Sequence, residues 1–138
     1  MDDFRSQIAT TIDAMTELSI EPVFVVIDLW GAEDVKRVQG PESMQQLRDG
    51  AIDSVANTCG GAVFAYTEFR LVAILPGPTR LKTFALIQKL THALPLLGQS
   101  FDCILRPDFD VLDYDPQGGV AGIINQLVKL PLVRSDAA

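Results

Sequence analysis

Histidine, tryptophan and cysteine are nearly missing from this chain, which has one His, one Trp and two Cys in 138 residues. Cys59 and Cys103 have neither a metal-ligand spacing nor a C-x-x-C arrangement, which removes the usual zinc and dithiol motifs. Both are expected to be buried, reduced thiols. His92, beside Leu90 and Leu94, has no Ser or Cys partner in a motif and reads as an ordinary histidine near a helix C-terminus. Basic charge is scarce as well, with 11 Lys and Arg against 18 Asp and Glu and a net charge of −7. The basic residues are scattered, which argues against nucleic acid and against an anionic membrane surface as partners. Long apolar runs are lacking too, since Val23–Ile27 and Leu71–Pro76 are far too short to span a bilayer. Met1-Asp2-Asp3 opens acidic where a signal peptide needs basic residues, so a cytoplasmic location is expected.

What is present is enough for one compact domain. A hydrophobic fraction of 48% with 21% charged residues is ordinary for a folded chain, and the length suits a single domain over 1–138 with a core of about 21–130. Phe4, Ile8, Ile12, Met15 and Leu18 recur at helical spacing and predict a helix over 3–18. The stripe Phe4, Ile8, Ile12, Met15 would cover the chain's own sheet or the matching stripe of a second copy, so a homodimer is a candidate state. Glu21-Pro22 stops that helix, and Val23-Phe24-Val25-Val26-Ile27-Asp28 predicts a buried strand ending in a carboxylate. After a Gly40-Pro41 break, Met44, Leu47, Ala51 and Val55 form the stripe of a second helix closed near Gly60-Gly61.

Ala62–Tyr66 and Arg70–Leu75 read as an antiparallel hairpin around Thr67-Glu68-Phe69. Thr79 would cap a third helix from about Arg80 to Leu94, ended by Pro95. Phe101–Leu105 and Phe109–Tyr114 look like strands broken at Arg106-Pro107. Val120, Ile123, Ile124, Leu127 and Val128 give a last helix stopped at Pro131, followed by a frayed tail over 134–138. The resulting order, helix–βαββαβ–helix, predicts an α+β fold: a ferredoxin-like sheet with helices packed on one face and a helix added at each end.

With these elements laid out, the chain resembles the GGDEF (diguanylate cyclase) family of ferredoxin-like nucleotide cyclase domains, over roughly residues 4–130. That family ends a strand in Asp-x-Asp-x-Phe-Lys, with a glycine turn twelve residues after the first Asp. Here Val25-Val26-Ile27-Asp28 meets Leu29-Trp30-Gly31, and Gly40 lies twelve residues beyond Asp28. The hairpin that follows ends in Ala73-Ile74-Leu75-Pro76, again as in the family. In gapless placement, however, the second Asp falls on Trp30, the Phe on Ala32, the Lys on Glu33, the guanine-holding Asn on Lys36 and the base-reading Asp on Gln45. The Gly-Gly-Asp-Glu-Phe signature falls on Thr67-Glu68-Phe69-Arg70-Leu71.

Two-metal phosphoryl chemistry needs at least two carboxylates around the ions, and Asp28 alone is a poor site. The resemblance, so altered, implies a relic metal position at Asp28, no bound metal or cofactor, and no enzymatic activity. Asp28 also has a plain role open to it, capping the turn that follows. Asp108-Phe109-Asp110-Val111-Leu112-Asp113 invites a calcium reading, but its alternation fits a solvated strand face. The expected function is a stand-alone, inactive GGDEF-like module of bacterial signalling that acts on a protein partner. One alternative is a nucleotide or cyclic-dinucleotide sensor, with Lys36, Arg37 and Arg70 supplying positive charge; another is an unrelated ferredoxin-like domain. Trp30, Lys36, Arg37, Thr67, Glu68, Phe69 and Arg70 are the candidate ligand or partner contacts.

Overall fold

The computed structural model describes residues 2–77 and 80–131. The elements are α1 (Asp2–Glu17), β1 (Pro22–Trp30), α2 (Ala32–Gln39), α3 (Pro41–Cys59), β2 (Ala62–Thr67), β3 (Arg70–Pro76), α4 (Arg80–Gln99), β4 (Arg106–Asp113) and α5 (Gly119–Lys129). The strands form one antiparallel sheet in the order β2-β3-β1-β4. This is the predicted α+β arrangement. Thr79 as a helix cap and the tail over 134–138 lie outside the described residues.

Side-chain alternation along β1 feeds two cores. Val25, Ile27 and Leu29 join Leu71, Ala73 and Leu75 under α3 and α4, while Phe24 and Val26 join Val72 and Ile74 under α1 and α5. A strand buried on both faces has to be continuously apolar, which is why 23–27 carries no polar residue. Helices therefore cover both faces of the sheet rather than one. The added terminal helices close the second face, and Phe4, Ile8 and Ile12 of α1 are buried against the chain's own strands. Among the described residues, no helix is long and apolar enough to cross a membrane.

Three expected boundaries differ. The segment between Asp28 and Gly40 forms α2, a polar helix that buries only Ala32, Glu33 and Val35 and so carries little apolar periodicity. Pro95 does not end α4, which runs on to Gln99. Leu94 and Gly98 on either side are buried, and Gly98 lies against the backbone of Cys103 and Leu105. His92 is thus an exposed mid-helix residue rather than a C-terminal one. Phe101–Leu105 is not a strand, because the amides of Phe101 and Cys103 turn back onto the Gly98 carbonyl at 2.9 and 3.0 Å. β4 instead begins at Arg106 and includes Pro107, which a strand on a sheet edge tolerates.

Candidate functional site

Asp28 sits in the last third of β1, directly across from Arg70 on β3 and Asp108 on β4. Arg70 is almost fully buried, at 1% exposure. Its Nε donates to Asp28 Oδ1 at 2.5 Å and its Nη2 to Oδ2 at 3.0 Å, a two-point ion pair. Nη1 donates to the Leu127 carbonyl at 3.3 Å and Nη2 also to the Pro131 carbonyl. The guanidinium therefore lies between a carboxylate and the carbonyl-rich end of α5, where positive charge is favoured. The two faces of its environment, one from the sheet and one from the last helix, are joined by this one side chain.

Asp28 is not a lone carboxylate. Asp108 and Asp110 alternate on β4 so that both project to the α1/α5 face, and one oxygen from each of the three acids lies within 4.8 Å of the others. Burial pushes the Asp110 carboxyl above the ordinary Asp range, and the charges of Asp108 and Asp28 push it the same way; Arg70 opposes them without cancelling them. Three carboxylates thus share a single guanidinium, with Asp108 exposed and Asp110 half-buried at the open side. Such a group can accept a cation from solvent. Sequence reasoning placed these aspartates on a solvated strand face and missed their meeting with Asp28. The signal was available in the β4 alternation combined with a topology that lays the fourth strand beside the first.

The remaining candidate residues divide. Lys36 pairs with Glu68 at 2.7 Å, tying α2 to the hairpin turn. Arg37 pairs with Asp34 at 2.6 Å on the exposed side of α2. Each of the three cations considered for an anionic ligand, Arg70 included, carries its own counter-charge. Thr67 Oγ1 accepts from the Phe69 amide at 3.4 Å inside the turn, and Phe69 is buried in the larger core. Trp30 is half-buried against that core, opposite Arg106 across the strands. The turn at 67–69 does reach the end of β1, since the Leu29 amide donates to the Phe69 carbonyl at 2.8 Å. Cys103 donates from Sγ to the Gly31 carbonyl at 3.3 Å, and burial raises both thiols above the ordinary cysteine value. Both are free cysteines, Cys103 buried and Cys59 half-buried.

A second feature lies on the other face of β4. A groove of about 720 Å³ runs between α4 and the sheet, lined by Val23, Val111 and Asp113 of the strands and by Arg80, Leu81, Thr83, Phe84 and Ile87 of α4. Leu81, Phe84 and Val111 are 78, 58 and 48% exposed. They are adjacent, whereas the other exposed large apolar residues, such as Leu18, Val38 and Leu96, belong to separate elements or to the far end of α4. β4 ends the sheet, and among the described residues no strand pairs with its outer edge. An apolar groove beside an open strand edge is a place where a protein segment can add.

No family model matches the chain, and no curated protein matches it in sequence. Solved structures do match in shape. The GGDEF domain of DgcB from Caulobacter crescentus, solved with c-di-GMP, aligns with a TM-score of 0.60 at 11% identity, covering 89% of this chain and 77% of its own. The guanylyl cyclase Cya2 aligns with a TM-score of 0.51 at 17% identity, covering 67% of this chain and 53% of its own. The expectation that the chain is not an enzyme is corrected by these observations. It rested on Asp28 standing alone, whereas three carboxylates are gathered there, in a fold shared with a guanylyl cyclase. Order of elements, sheet topology and these likenesses agree: the chain has the fold of the GGDEF-like nucleotide cyclases.

Proposed function

We propose that the chain is a regulatory, protein-interaction module of cytoplasmic bacterial signalling that engages a partner at the groove between α4 and β4. The observation that supports this is the adjacency of exposed Leu81, Phe84 and Val111 beside a strand edge with which none of the described strands pairs. Apolar side chains grouped in this way lose water on docking, at about 25 cal/mol per Å² of apolar surface. Docking there is independent of any nucleotide chemistry, because the groove opens on the opposite sheet face from Asp28. A photo-crosslinking amino acid placed at Phe84 tests it in the native cell, with exposed Ile104 as the control position. Specific adducts are expected from position 84 and not from 104; equal labelling of both, or labelling of neither, overturns the reading.

A second reading, a divalent cation and a nucleoside triphosphate at the Asp28 end of the sheet, is favoured by the three clustered carboxylates and by the cyclase likeness. Asp108 and Asp110 would meet the ion first, since Arg70 holds both oxygens of Asp28. Thermal unfolding with GTP and Mn²⁺ tests it. A ligand at a hundredfold over its Kd adds about 2.7 kcal/mol, and Asp108→Asn should remove that gain. A flat response excludes the site, and pyrophosphate release in the same samples reads turnover directly.

A further inference from the structure

The partner that fits the β4 edge has a definable chemistry. We infer that β4 takes up an extended segment in which apolar and basic residues alternate, added as a fifth strand beyond Arg106–Asp113. Neighbouring strands place paired side chains on the same face, so the two faces of β4 dictate the two faces of its occupant. On the α4 side, β4 presents Phe109 and Val111 beside Leu81 and Phe84, an apolar surface that ends at Asp113. On the α1/α5 side it presents Asp108 and Asp110, which together with Asp28 outnumber the single guanidinium of Arg70. Opposite 108–111 an added strand therefore meets apolar groove and carboxylate in turn, a pattern that Leu112 and Asp113 end.

A Lys or Arg over Asp108 and Asp110 would neutralise charge that now repels itself: burial is the larger cause of the raised Asp110 carboxyl, and the charges of Asp108 and Asp28 add to it. Two β4 edges meeting about a two-fold axis perpendicular to the sheet pair residues of the same face, so an axis at Phe109 sets Asp108 against Asp110 and an axis at Asp110 sets that residue against its own copy; an axis at Val111 avoids both and sets Asp113 against Phe109 instead, a charge against an apolar ring. Pro107, which has no amide to donate, confines pairing to about 108–113.

This rests on the docking reading above and adds the partner's chemistry to it. The test is fluorescence anisotropy of the intact chain with a labelled, end-capped peptide of alternating Val and Lys. Its controls are a peptide of the same composition with the Lys residues in one block, an alternating Val/Glu peptide, and a fully N-methylated Val/Lys peptide. Saturable binding of the alternating Val/Lys peptide is expected, weakened tenfold or more in every control. Phe84→Asp and Asp108→Asn/Asp110→Asn should each weaken it tenfold or more while circular dichroism stays unchanged, and amide exchange over 108–113 should slow on binding. Equal binding of the blocked and alternating peptides, or binding indifferent to Phe84→Asp, would mean simple charge attraction and overturn the inference. No binding at millimolar peptide overturns it as well, and so does self-association of the chain that Phe84→Asp abolishes, which would assign the groove to a second copy. A crosslink at position 84 together with a failed peptide would remove only the strand chemistry and leave docking standing.

Discussion

Arg70 and Asp28 show how one buried ion pair can be costly to break and cheap to replace. Taking two charges out of water consumes most of their attraction, yet removing one partner strands the other. Arg70→Met should therefore destabilise the chain by about 3–5 kcal/mol, more than a mere loss of side-chain contact, because Asp28 is left facing Asp108 and Asp110. Asp28→Asn/Arg70→Met should recover about half of that loss, read by urea unfolding of the single and double variants; additive losses would deny the coupling. Asp110 carries a second expectation. Its folded carboxyl holds a proton more tightly than the unfolded one, so its contribution to stability is greatest below about pH 3.9 and is lost as pH rises through the raised folded value. Asp110→Asn should be more stable than the parent at neutral pH, and the difference should shrink in acid. Melting temperatures of both proteins across that range check the sign.

Elements answer to local chemistry that the pattern of apolar residues does not report. Gly31 holds φ at +100°, and a Cβ there would stand 2.2 Å from the Ile104 carbonyl oxygen. Its amide donates to the buried Glu33 side chain at 2.8 Å, so the turn is fixed from both ends. Gly31→Ala should cost about 2 kcal/mol or more, whereas Pro95→Ala, which restores an amide in the interior of α4, should gain about 1–2 kcal/mol. Thermal melts of the pair should move in opposite directions. The same contrast explains what was legible in the sequence. β1, α3 and the hairpin announce themselves through apolar runs and the Met44–Val55 stripe, and all three stand where the spacing put them. α2 stayed hidden because a helix burying so few residues owes its place to Gly31, Glu33 and the Lys36–Glu68 pair. The passage of α4 through Pro95 depends on packing at Leu94 and Gly98, which no local propensity encodes. The acidic group needed pairing partners from two strands 80 residues apart (Asp28 with Asp108), so reading along the chain met each carboxylate separately.

At the scale of the molecule, one sheet is shared by two cores, and α1 seals the second of them. Ile8, with 0% exposure, lies in that seal. Ile8→Asp should cost about 4 kcal/mol or more through a charge buried without a partner, and sedimentation with circular dichroism should show an unfolded monomer rather than a folded chain released from a dimer. Retained structure with a changed mass would place Ile8 at an intersubunit contact instead. The acceptors of Arg70 carry a consequence for how the chain is made. Asp28 and Arg70 are 42 residues apart, but the Leu127 carbonyl lies 57 residues beyond Arg70. Until that later stretch is synthesised, a guanidinium headed for the interior lacks two of its acceptors. Translation therefore supplies the fastening after the pair it fastens, and a nascent chain stalled before α5 would present an open seam to proteases and chaperones that a chain carrying α5 does not have.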